Sequence, residues 1–438
     1  MKRMIAGVYQ RKREGREMIR RSRRIRIIII TLYILIPSFI LSACQATEGR
    51  REIEDLGIVT AIGVDYIDDN VVVTLEVVNP LSSIGNNQAS SNKSQEQKFI
   101  YPKGVGKTVK EALTNINLYL DKQVFLSHSN ILVIGEEFAK RGTIDLMDFF
   151  LRDNDPREDM YIVVAKGCKA SDIIGIRAGL GKPTGNYLYD TFNNFSTTGK
   201  CINISIAESY RYYYDVSNEP VVGVVQLKEL TSSDEELKND DSTVTVLDVS
   251  GGAILKNGKL VGYFDGDEML GFNMIVGDLR SGTISFHTPV TDKDKQNLII
   301  GKDGELTTLD IIRTSTKRKI SIKDGKIHLT IDAKLKGALN EINQALNVID
   351  SEVISRIEEA CSKKVEELIS KTLEKGQKEF KLDSFSIGVA VHQQYPKIWK
   401  EIATEWQNIF PEITYDVNVE TTIVKIGLIN YPANLRRK

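Results

Sequence analysis

The first 44 residues constrain this chain more than any other stretch, because they carry the layout of an export signal. Residues 1–26 are strongly basic, and the apolar run Ile27–Ala43 follows directly. In such a signal the basic segment stays on the cytoplasmic side while the apolar segment enters the bilayer. The run ends in small side chains before a cysteine: Leu41, Ser42, Ala43 and Cys44. This arrangement predicts that a signal peptide, residues 1–43, is cleaved before Cys44.

The cysteine also indicates what holds the mature chain to a membrane. Small residues before Cys44 are typical of lipoproteins, in which the sulfur carries a diacylglycerol and the new amino terminus can carry a further acyl chain. The alternative is a transmembrane helix, but Ile27–Ala43 has only 17 residues and contains Pro37. That is at the lower edge of what crosses about 30 Å of hydrocarbon. We therefore predict a lipid anchor on Cys44, with the start codon open between Met1 and Met18.

Removing the leader changes the charge of the protein. Residues 1–26 hold 11 of the 58 Lys and Arg and 2 of the 59 Asp and Glu, so residues 44–438 carry a net charge of −10. An acidic body argues against nucleic acid as a partner, because phosphate binding needs a basic surface. It also argues against electrostatic adhesion to anionic lipids, which leaves the anchoring to the lipid. After Ala43 no run of 18 apolar residues occurs.

The cysteines and histidines predict neither a disulfide framework nor a metal site. Besides Cys44 the chain has Cys168, Cys201 and Cys361, widely spaced and without a Cys-x-x-Cys pair. We expect these three to be buried thiols, although one bridge stays open. The four histidines lie far from one another, and none stands at metal-ligand spacing from a cysteine. No cofactor is expected beyond the acyl groups on Cys44.

The hydrophobic patterns after the leader predict an α+β fold of three domains, with mainly antiparallel or mixed sheets and packed helices. A β–α–β alternation occupies the first domain, 44–205. The second, 206–310, contains Asn257-Gly258 between two apolar runs, which is a strong hairpin signal. The third, 311–438, contains a long hairpin around Asp324-Gly325 and then a helix of about 25 residues.

Finer predictions concern single strands and helix ends. Val71, Val73, Leu75 and Val77 alternate with their neighbours, as a strand with one buried face does. Thr108 can cap a helix with Glu111 completing a capping box. The long helix starts at Asp350 or Ser351, places Cys361 in its apolar stripe, and is expected to end at Gly376.

Three motifs suggest chemistry but lack its other requirements. Gly104–Thr108 looks like the end of a phosphate-binding loop, yet Tyr101 stands where the first glycine belongs. The acidic segment Phe264–Glu268 has too few ligands for calcium and is expected to be a solvated turn. Ser127 and His128 are adjacent in sequence, but a nucleophile needs its base close in space with an orienting acid. No catalytic residue is predicted.

Four tyrosines within five residues form a different kind of candidate. Tyr210, Tyr212, Tyr213 and Tyr214 could pack in the core or form a partly exposed contact patch. Tyrosine is enriched at protein interfaces. The sequence leaves these two alternatives open.

Short segments spread over nearly the whole mature chain resemble one family. They are Arg50–Leu56, Ala61–Asp65, Leu126–Asn130, Ile134–Ala139, Lys259–Gly262, Glu268 with Gly271, Tyr395–Lys400 and Trp406. Their identity and order resemble the Ger(x)C lipoproteins, the C subunits of spore germination receptors. The chain departs from the family pattern at Gln45 and Tyr263, where tryptophan is common, and in Asp383–Gly388, which lacks a glycine or two.

The resemblance implies a fold, a role and partners. It implies three α+β domains and a non-enzymatic, lipid-anchored subunit on the outer face of the cytoplasmic membrane, which is the spore inner membrane. The implied partners are two integral membrane subunits, with which the protein would respond to nutrients and start germination.

Two other classes of lipoprotein are weighed against this one. The first is a substrate-binding lipoprotein of a membrane transporter, which has two lobes with parallel sheets, whereas the hairpin signals favour antiparallel pairing. The second is an anchored hydrolase, against which the missing nucleophile and metal cluster argue.

Overall fold

A computed structural model describes most of the chain after the leader. The described residues are 31, 53–79, 98–176, 182–215, 217–230, 244–277, 279–291, 294, 306–342, 346, 348 and 350–427. The predicted signal peptide and Cys44 lie outside them. The chain divides into two compact units, Met1–Leu56 and Gly57–Lys438. In the first, a 3-10 turn at Ile53–Asp55 leads into the first strand.

The described strands and helices lie in the second unit, except that the first strand begins at Leu56 of the first unit. The strands are β1 (Leu56–Ile67), β2 (Asn70–Val78), β3 (Phe99–Ile100), β4 (Lys103–Gly106), β5 (Gln123–Phe125), β6 (Ile131–Gly135), β7 (Tyr161–Ala165), β8 (Val221–Leu230), β9 (Val244–Asp248), β10 (Gly252–Lys256), β11 (Lys259–Phe264), β12 (Gly282–His287), β13 (Leu306–Lys323), β14 (Lys326–Ile342) and β15 (Thr414–Lys425). The α-helices are α1 (Val109–Ile116), α2 (Glu136–Arg141), α3 (Ile144–Arg152), α4 (Ala170–Ile173), α5 (Thr184–Asn193), α6 (Ile206–Tyr213), α7 (Gly266–Val276), α8 (Ser351–Glu374), α9 (Ile387–Gln394), α10 (Pro396–Ile402) and α11 (Trp406–Ile409).

Eleven of the described strands form one mixed sheet. The order is β11-β10-β8-β7-β6-β1-β2-β3, with β4 on β2, β5 on β1 and β9 on β8. The four central strands β8, β7, β6 and β1 run parallel, and antiparallel pairs flank them. The predicted α+β class with mixed sheets is confirmed. The proposed boundary at residue 205 stays a prediction, and strands on either side of it, β7 and β8, pair in this sheet.

Helices cover both faces of this sheet, which corrects one strand prediction. Ile62 packs in a core cluster with α1 and α3, whereas Ala61 packs in another with α4 and α5. The strand β2 therefore has two buried faces rather than one, since Thr74 and Glu76 are 1% and 0% exposed. The Glu76 carboxylate sits at the amino end of α5 and accepts hydrogen bonds from the Thr184 and Gly185 N–H groups at 2.9 Å. A helix amino terminus favours this negative charge.

The second sheet has the order β12-β13-β14-β15, and α8 packs against it. The predicted hairpin is confirmed: β13 and β14 pair through Lys323 and Lys326 around Asp324-Gly325, which both have positive φ. The hairpin predicted at Asn257-Gly258 is confirmed in the same way between β10 and β11. Cys361 lies in the buried stripe of α8, as predicted.

Two predicted helix ends need correction. Gly376 does not end the long helix, because the chain continues as a π-helical segment over Lys375–Phe380 and stops at Lys381 with φ 54°. A Cβ on Gly376 would lie 2.5 Å from the Phe385 ring, so this glycine permits close packing. Thr108 caps α1 as predicted, but the Glu111 carboxylate accepts from the Lys107 N–H, one residue earlier than in a capping box.

Two further observations concern thiols and membrane spans. Cys168, Cys201 and Cys361 are free, and Cys168 is half-buried, where full burial was expected. Among the helices of the described ranges, none combines the length and the apolar character that crossing a bilayer requires.

Candidate functional site

A groove of about 750 Å³ beside the first sheet is the candidate site. Its floor is apolar and its rim is basic. The residues that line it are Tyr66, Val71, Lys107, Thr108, Val109, Lys110, Phe138, Arg141, Gly142, Ile144, Asp145, Leu146, Phe149, Tyr213, Asn257 and Lys259. Its volume is that of a site for a small molecule or for side chains of a partner protein.

One wall of the groove is the tip of the β10–β11 hairpin, which docks on the junction between α2 and α3. The carbonyl of Gly258 accepts hydrogen bonds from the Thr143 N–H at 2.8 Å and from its hydroxyl at 2.9 Å. Gly258 has φ 72°, and a Cβ there would meet Ile144 Cγ1 at 2.4 Å. Only glycine allows both the turn and this close approach, so the hairpin signal read from the sequence also places Lys259 at the rim.

Arg141 and Lys107 converge on the turn between β1 and β2. The Arg141 guanidinium lies 3.6 Å from the centroid of the Tyr66 ring and 3.3 Å from Asp69 Oδ1. The Lys107 Nζ donates to the Asp69 carbonyl at 3.1 Å. A guanidinium stacked on an aromatic face keeps its edge available to an anion. Arg141 and Lys107 therefore bring positive charge to this end of the groove, where Asp69 neutralises part of it.

The other end of the groove is basic and aromatic as well. The Lys110 Nζ lies 5.9 Å from the Phe149 ring centroid and pairs with Asp153 at 2.9 Å. Four basic side chains line the groove against one acidic side chain, Asp145. The predicted mature body is acidic overall, so this groove is a local positive feature suited to an anionic ligand or an acidic partner surface.

The tyrosine segment borders the groove. Tyr213 lines it and is 37% exposed, while Tyr214 is 66% exposed. The Tyr210 and Tyr214 hydroxyls lie 2.9 Å apart, and their rings meet edge to face. Tyr210 and Tyr212 pack against the core of the first sheet, whereas Tyr213 and Tyr214 are exposed, so the segment combines the two alternatives. Their role as a contact patch stays a prediction.

A second, smaller pocket of about 360 Å³ lies at the carboxyl ends of β1, β6 and β7. Ligands of open parallel sheets often bind at this edge, but here the polar groups satisfy one another. Asp65 accepts from the Ala170 and Ser171 N–H groups at 2.7 and 2.9 Å. Glu136 accepts from Lys140, the Gly167 N–H and the Tyr263 hydroxyl.

The pKa values of the two acids and the thiol at this edge are consistent with groups that hold the fold together. Burial raises the pKa of Asp65, although the Ser171 and Ala170 N–H groups oppose it. Burial alone would raise the pKa of Glu136, but its three donors outweigh burial and lower it. Burial and nearby carboxylates raise the pKa of the Cys168 thiol to about 11, so the thiol stays protonated and weakly nucleophilic at neutral pH.

The other sequence motifs serve the fold, and one prediction about them is wrong. The Ser127 hydroxyl donates to the Asp155 carbonyl at 2.5 Å, and the His128 ring packs edge to face on Phe125. The acidic segment at Phe264–Glu268 is not a solvated turn. Asp265 caps α7, and Glu268 is 4% exposed and bonded to the Lys375 Nζ at 2.7 Å. The lipidation residues Leu41, Ser42, Ala43 and Cys44 lie outside the described residues.

Asp383 is among the buried acids that sequence reasoning missed. The carboxylate of Asp383 is 5% exposed and sits at the amino end of α9. It accepts hydrogen bonds from the Phe385, Ile387 and Gly388 N–H groups and from the Trp406 indole N–H, at 2.6–3.2 Å. The signal was present as an aspartate beside a short Ser-rich segment, which is a common helix start.

Comparisons with known proteins agree on one family. Residues 49–227 match the family described as "Spore germination protein N-terminal domain", and residues 250–427 match "Spore germination B3/ GerAC like, C-terminal". The second match follows the first along the chain. The protein therefore belongs to the family of GerAC-like spore germination proteins.

Relatives and a solved structure extend this result over most of the chain. Spore germination protein KC of Bacillus subtilis (strain 168) is 25% identical over 415 residues, which cover 93% of this chain and 98% of that protein. Spore germination protein B3 of the same strain is 24% identical over 397 residues, covering 89% and 96%. The crystal structure of the GerBC protein matches with a TM-score of 0.51 at 19% identity, covering 83% and 97%, and it supports the fold.

Proposed function

We propose that this protein is a non-enzymatic, lipid-anchored subunit of a nutrient germinant receptor. Membership in the spore germination family supports the role in germination. The leader that ends in Leu-Ser-Ala-Cys supports cleavage before Cys44, a diacylglycerol on its sulfur and a place on the outer face of the spore inner membrane. The proposed partners are two integral membrane subunits of the same receptor.

The basic groove is the observation that supports a contact with those partners. Lys107, Lys110, Arg141 and Lys259 surround an apolar floor with Tyr213 at its side. An acidic segment with an apolar or aromatic side chain matches both features of the groove. We propose that such a segment of a membrane subunit binds there.

The anchor and the groove would cooperate through effective concentration. Each buried methylene of an acyl chain contributes about 0.8 kcal/mol, so the two chains of a diacylglycerol give stable attachment. Confinement to the membrane raises the local concentration of the body near membrane partners. A modest groove affinity then suffices to assemble the receptor.

The experiment reverses two charges of the groove in the full chain. Lys107→Glu with Arg141→Glu is expected to weaken co-purification of the membrane subunits at least about tenfold, because like charges would face the acidic segment. Quantitative immunoblotting of detergent extracts from spores measures this ratio. The matched control is Lys397→Glu with Lys400→Glu, which changes the net charge equally at exposed positions of α10.

The same extracts separate the anchor from the groove. Cys44→Ala should move the protein from the membrane to the soluble fraction, whereas the groove variant should stay with the membrane. Wild-type levels of co-purified subunits in the groove variant would refute the groove contact. A Cys44→Ala chain that remains in the membrane, with a normal nutrient response, would refute the anchored-subunit role.

One observation favours the alternative of a transporter's substrate-binding lipoprotein, and another argues against it. The parallel strands β1, β6, β7 and β8 weaken the argument that hairpins exclude parallel sheets. In the described ranges, however, these strands belong to one sheet, whereas a substrate-binding lipoprotein places a cleft between two lobes. Tight binding of a small nutrient by this chain without its partners would favour the alternative.

A further inference from the structure

An exposed apolar turn follows α1. Leu118 is 80% exposed, more than any other large hydrophobic side chain among the described residues, and the adjacent Tyr119 is 60% exposed. A single exposed leucine is unremarkable on a soluble surface. Two adjacent large side chains that point outward call for an account of what covers them.

The turn is held by hydrogen bonds. The Leu120 N–H donates to the Ile116 carbonyl at 3.1 Å, and the Asn117 side-chain oxygen accepts from the Val124 N–H at 3.1 Å. Leu120 packs against the core of the first sheet, and the Tyr119 hydroxyl donates to the Lys103 carbonyl. The outward position of Leu118 and Tyr119 is therefore fixed by the fold.

The turn lies beside the point where the chain joins the folded body. A Cβ built on Gly57 would lie 3.4 Å from Lys122 Cβ and 3.5 Å from Leu120 Cδ2. Gly57 is 13 residues after Cys44, and a chain of that length spans at most about 45 Å. The turn therefore lies beside the end of the folded body from which the predicted tether to Cys44 leaves, so that a lipid on Cys44 can bring it to the bilayer.

We propose that Leu118 and Tyr119 insert into the headgroup region of the membrane and orient the body on its anchor; this inference rests on the proposed lipid anchor. Leucine gains by leaving water, and tyrosine is enriched at membrane interfaces because its ring is apolar and its hydroxyl polar. Lys103 is exposed beside the turn and is compatible with a nearby headgroup phosphate, but the insertion itself depends on the apolar surface of Leu118 and Tyr119. The lipid attaches the protein, and the turn decides which face of the body meets the membrane.

The test uses the full mature lipoprotein reconstituted in vesicles of phosphatidylethanolamine and phosphatidylglycerol whose acyl chains carry bromine, a contact quencher of tryptophan. Tyr119→Trp is the reporter, and Tyr214→Trp, at a tyrosine that is 66% exposed elsewhere, is the matched control. The native Trp399 and Trp406 are 8% and 2% exposed and are common to both chains. We expect bromine to cause a larger loss of emission in the reporter than in the control.

A second variant checks that the loss depends on insertion. Leu118→Asp, placed in the reporter chain, is expected to reduce the loss of emission to the control level while the protein still floats with the vesicles. Circular dichroism of this variant checks the fold. A reporter already quenched no more than the control, in protein that floats with the vesicles, would overturn the inference and leave the anchor standing.

Two other results would also overturn the inference. Protein that fails to float with the vesicles would refute the anchor and the inference with it. Reporter emission that changes with the amount of protein per vesicle, but not with bromine, would mean that the turn contacts a second copy of the chain.

Discussion

The groove and the buried acids of this protein place their charges differently. Around the first sheet, the charges of the groove are at the surface: Arg141 and Asp69 are 58% and 82% exposed. The buried acids lie beside both sheets: Asp383 and Glu268 near the second sheet are 5% and 4% exposed, and Glu76 in the first is 0% exposed, and each accepts hydrogen bonds from its neighbours. The charges of the groove remain available to a partner, whereas those of the buried acids form contacts within the fold.

The enclosed acids connect parts of the chain that are far apart in sequence. Asp383 joins the start of α9 to Trp406, and its backbone carbonyl accepts from the Glu219 N–H at 2.9 Å. Glu268 joins α7 to the end of α8 through Lys375. Buried polar groups of this kind are costly to break, whereas exposed pairs contribute little to stability.

In a protein without a predicted catalytic residue, this difference indicates which charged groups are candidates for function. A perturbed pKa marks a functional group in many enzymes, but structural networks perturb pKa values as well. Here the largest burial belongs to structural acids, and the candidate contact surface consists of exposed cations over an apolar floor. Mutations should separate the two roles: substitution of Asp383 should lower the free energy of unfolding, and substitution of Arg141 should weaken binding to the partner.

The largest expected effect on stability is that of Asp383→Ala. The change leaves three backbone N–H groups and the Trp406 indole N–H without an acceptor, so the free energy of unfolding should fall by about 4 kcal/mol. Urea denaturation followed by tryptophan fluorescence measures this. A loss as small as that of Asp416→Ala, an exposed aspartate, would contradict the structural role of Asp383.

A smaller effect is expected from pH. Burial raises the pKa of Asp383 from 3.8 to about 6, although three N–H groups and Trp406 lower it. The folded state therefore binds this proton more tightly than the unfolded state does. The resulting stability is fully present below about pH 4 and is lost as the pH rises through about 6.

The pH effect is measured as a difference between two chains, because other groups titrate too. Relative to Asp383→Asn, the unfolding free energy of the wild type should fall by about 2 kcal/mol from about pH 4 to about pH 7. Urea denaturation at several pH values gives this difference. A difference that grows with pH would mean that the four donors outweigh burial and that the pKa is lowered.

The smallest expected effect on stability is at the groove. Arg141→Ala removes an exposed ion pair and a cation–π contact, which should cost less than about 1 kcal/mol of unfolding free energy. A loss comparable to that of Asp383→Ala would mean that Arg141 holds the turn at Asp69 together. The proposed division between a contact region and a structural region would then fail.

Local features of the fold could be predicted from sequence. Asn257-Gly258 and Asp324-Gly325 specify their hairpins because both positions adopt positive φ, and the stripe around Cys361 specifies the long helix. The family resemblance supplied the class of protein. These features depend on residues close in sequence or on short segments in a fixed order.

The groove and the buried acids could not be predicted, because they depend on contacts between distant segments. Gly258 meets Ile144 across more than 100 residues, and the buried Glu268 pairs with Lys375, which lies similarly far along the chain. The strand β2 looked half-buried since its apolar residues alternate, but α5 covers its other face and binds Glu76. A pattern along one strand does not show which helices will cover it.

The central claim is that acyl chains on one sulfur hold this body on a membrane. Mass spectrometry of the amino-terminal peptide of the mature protein tests it most directly. We predict a peptide that begins at Cys44 and carries the mass of a diacylglycerol. An unmodified Cys44, or a peptide that still contains the leader, would contradict the account.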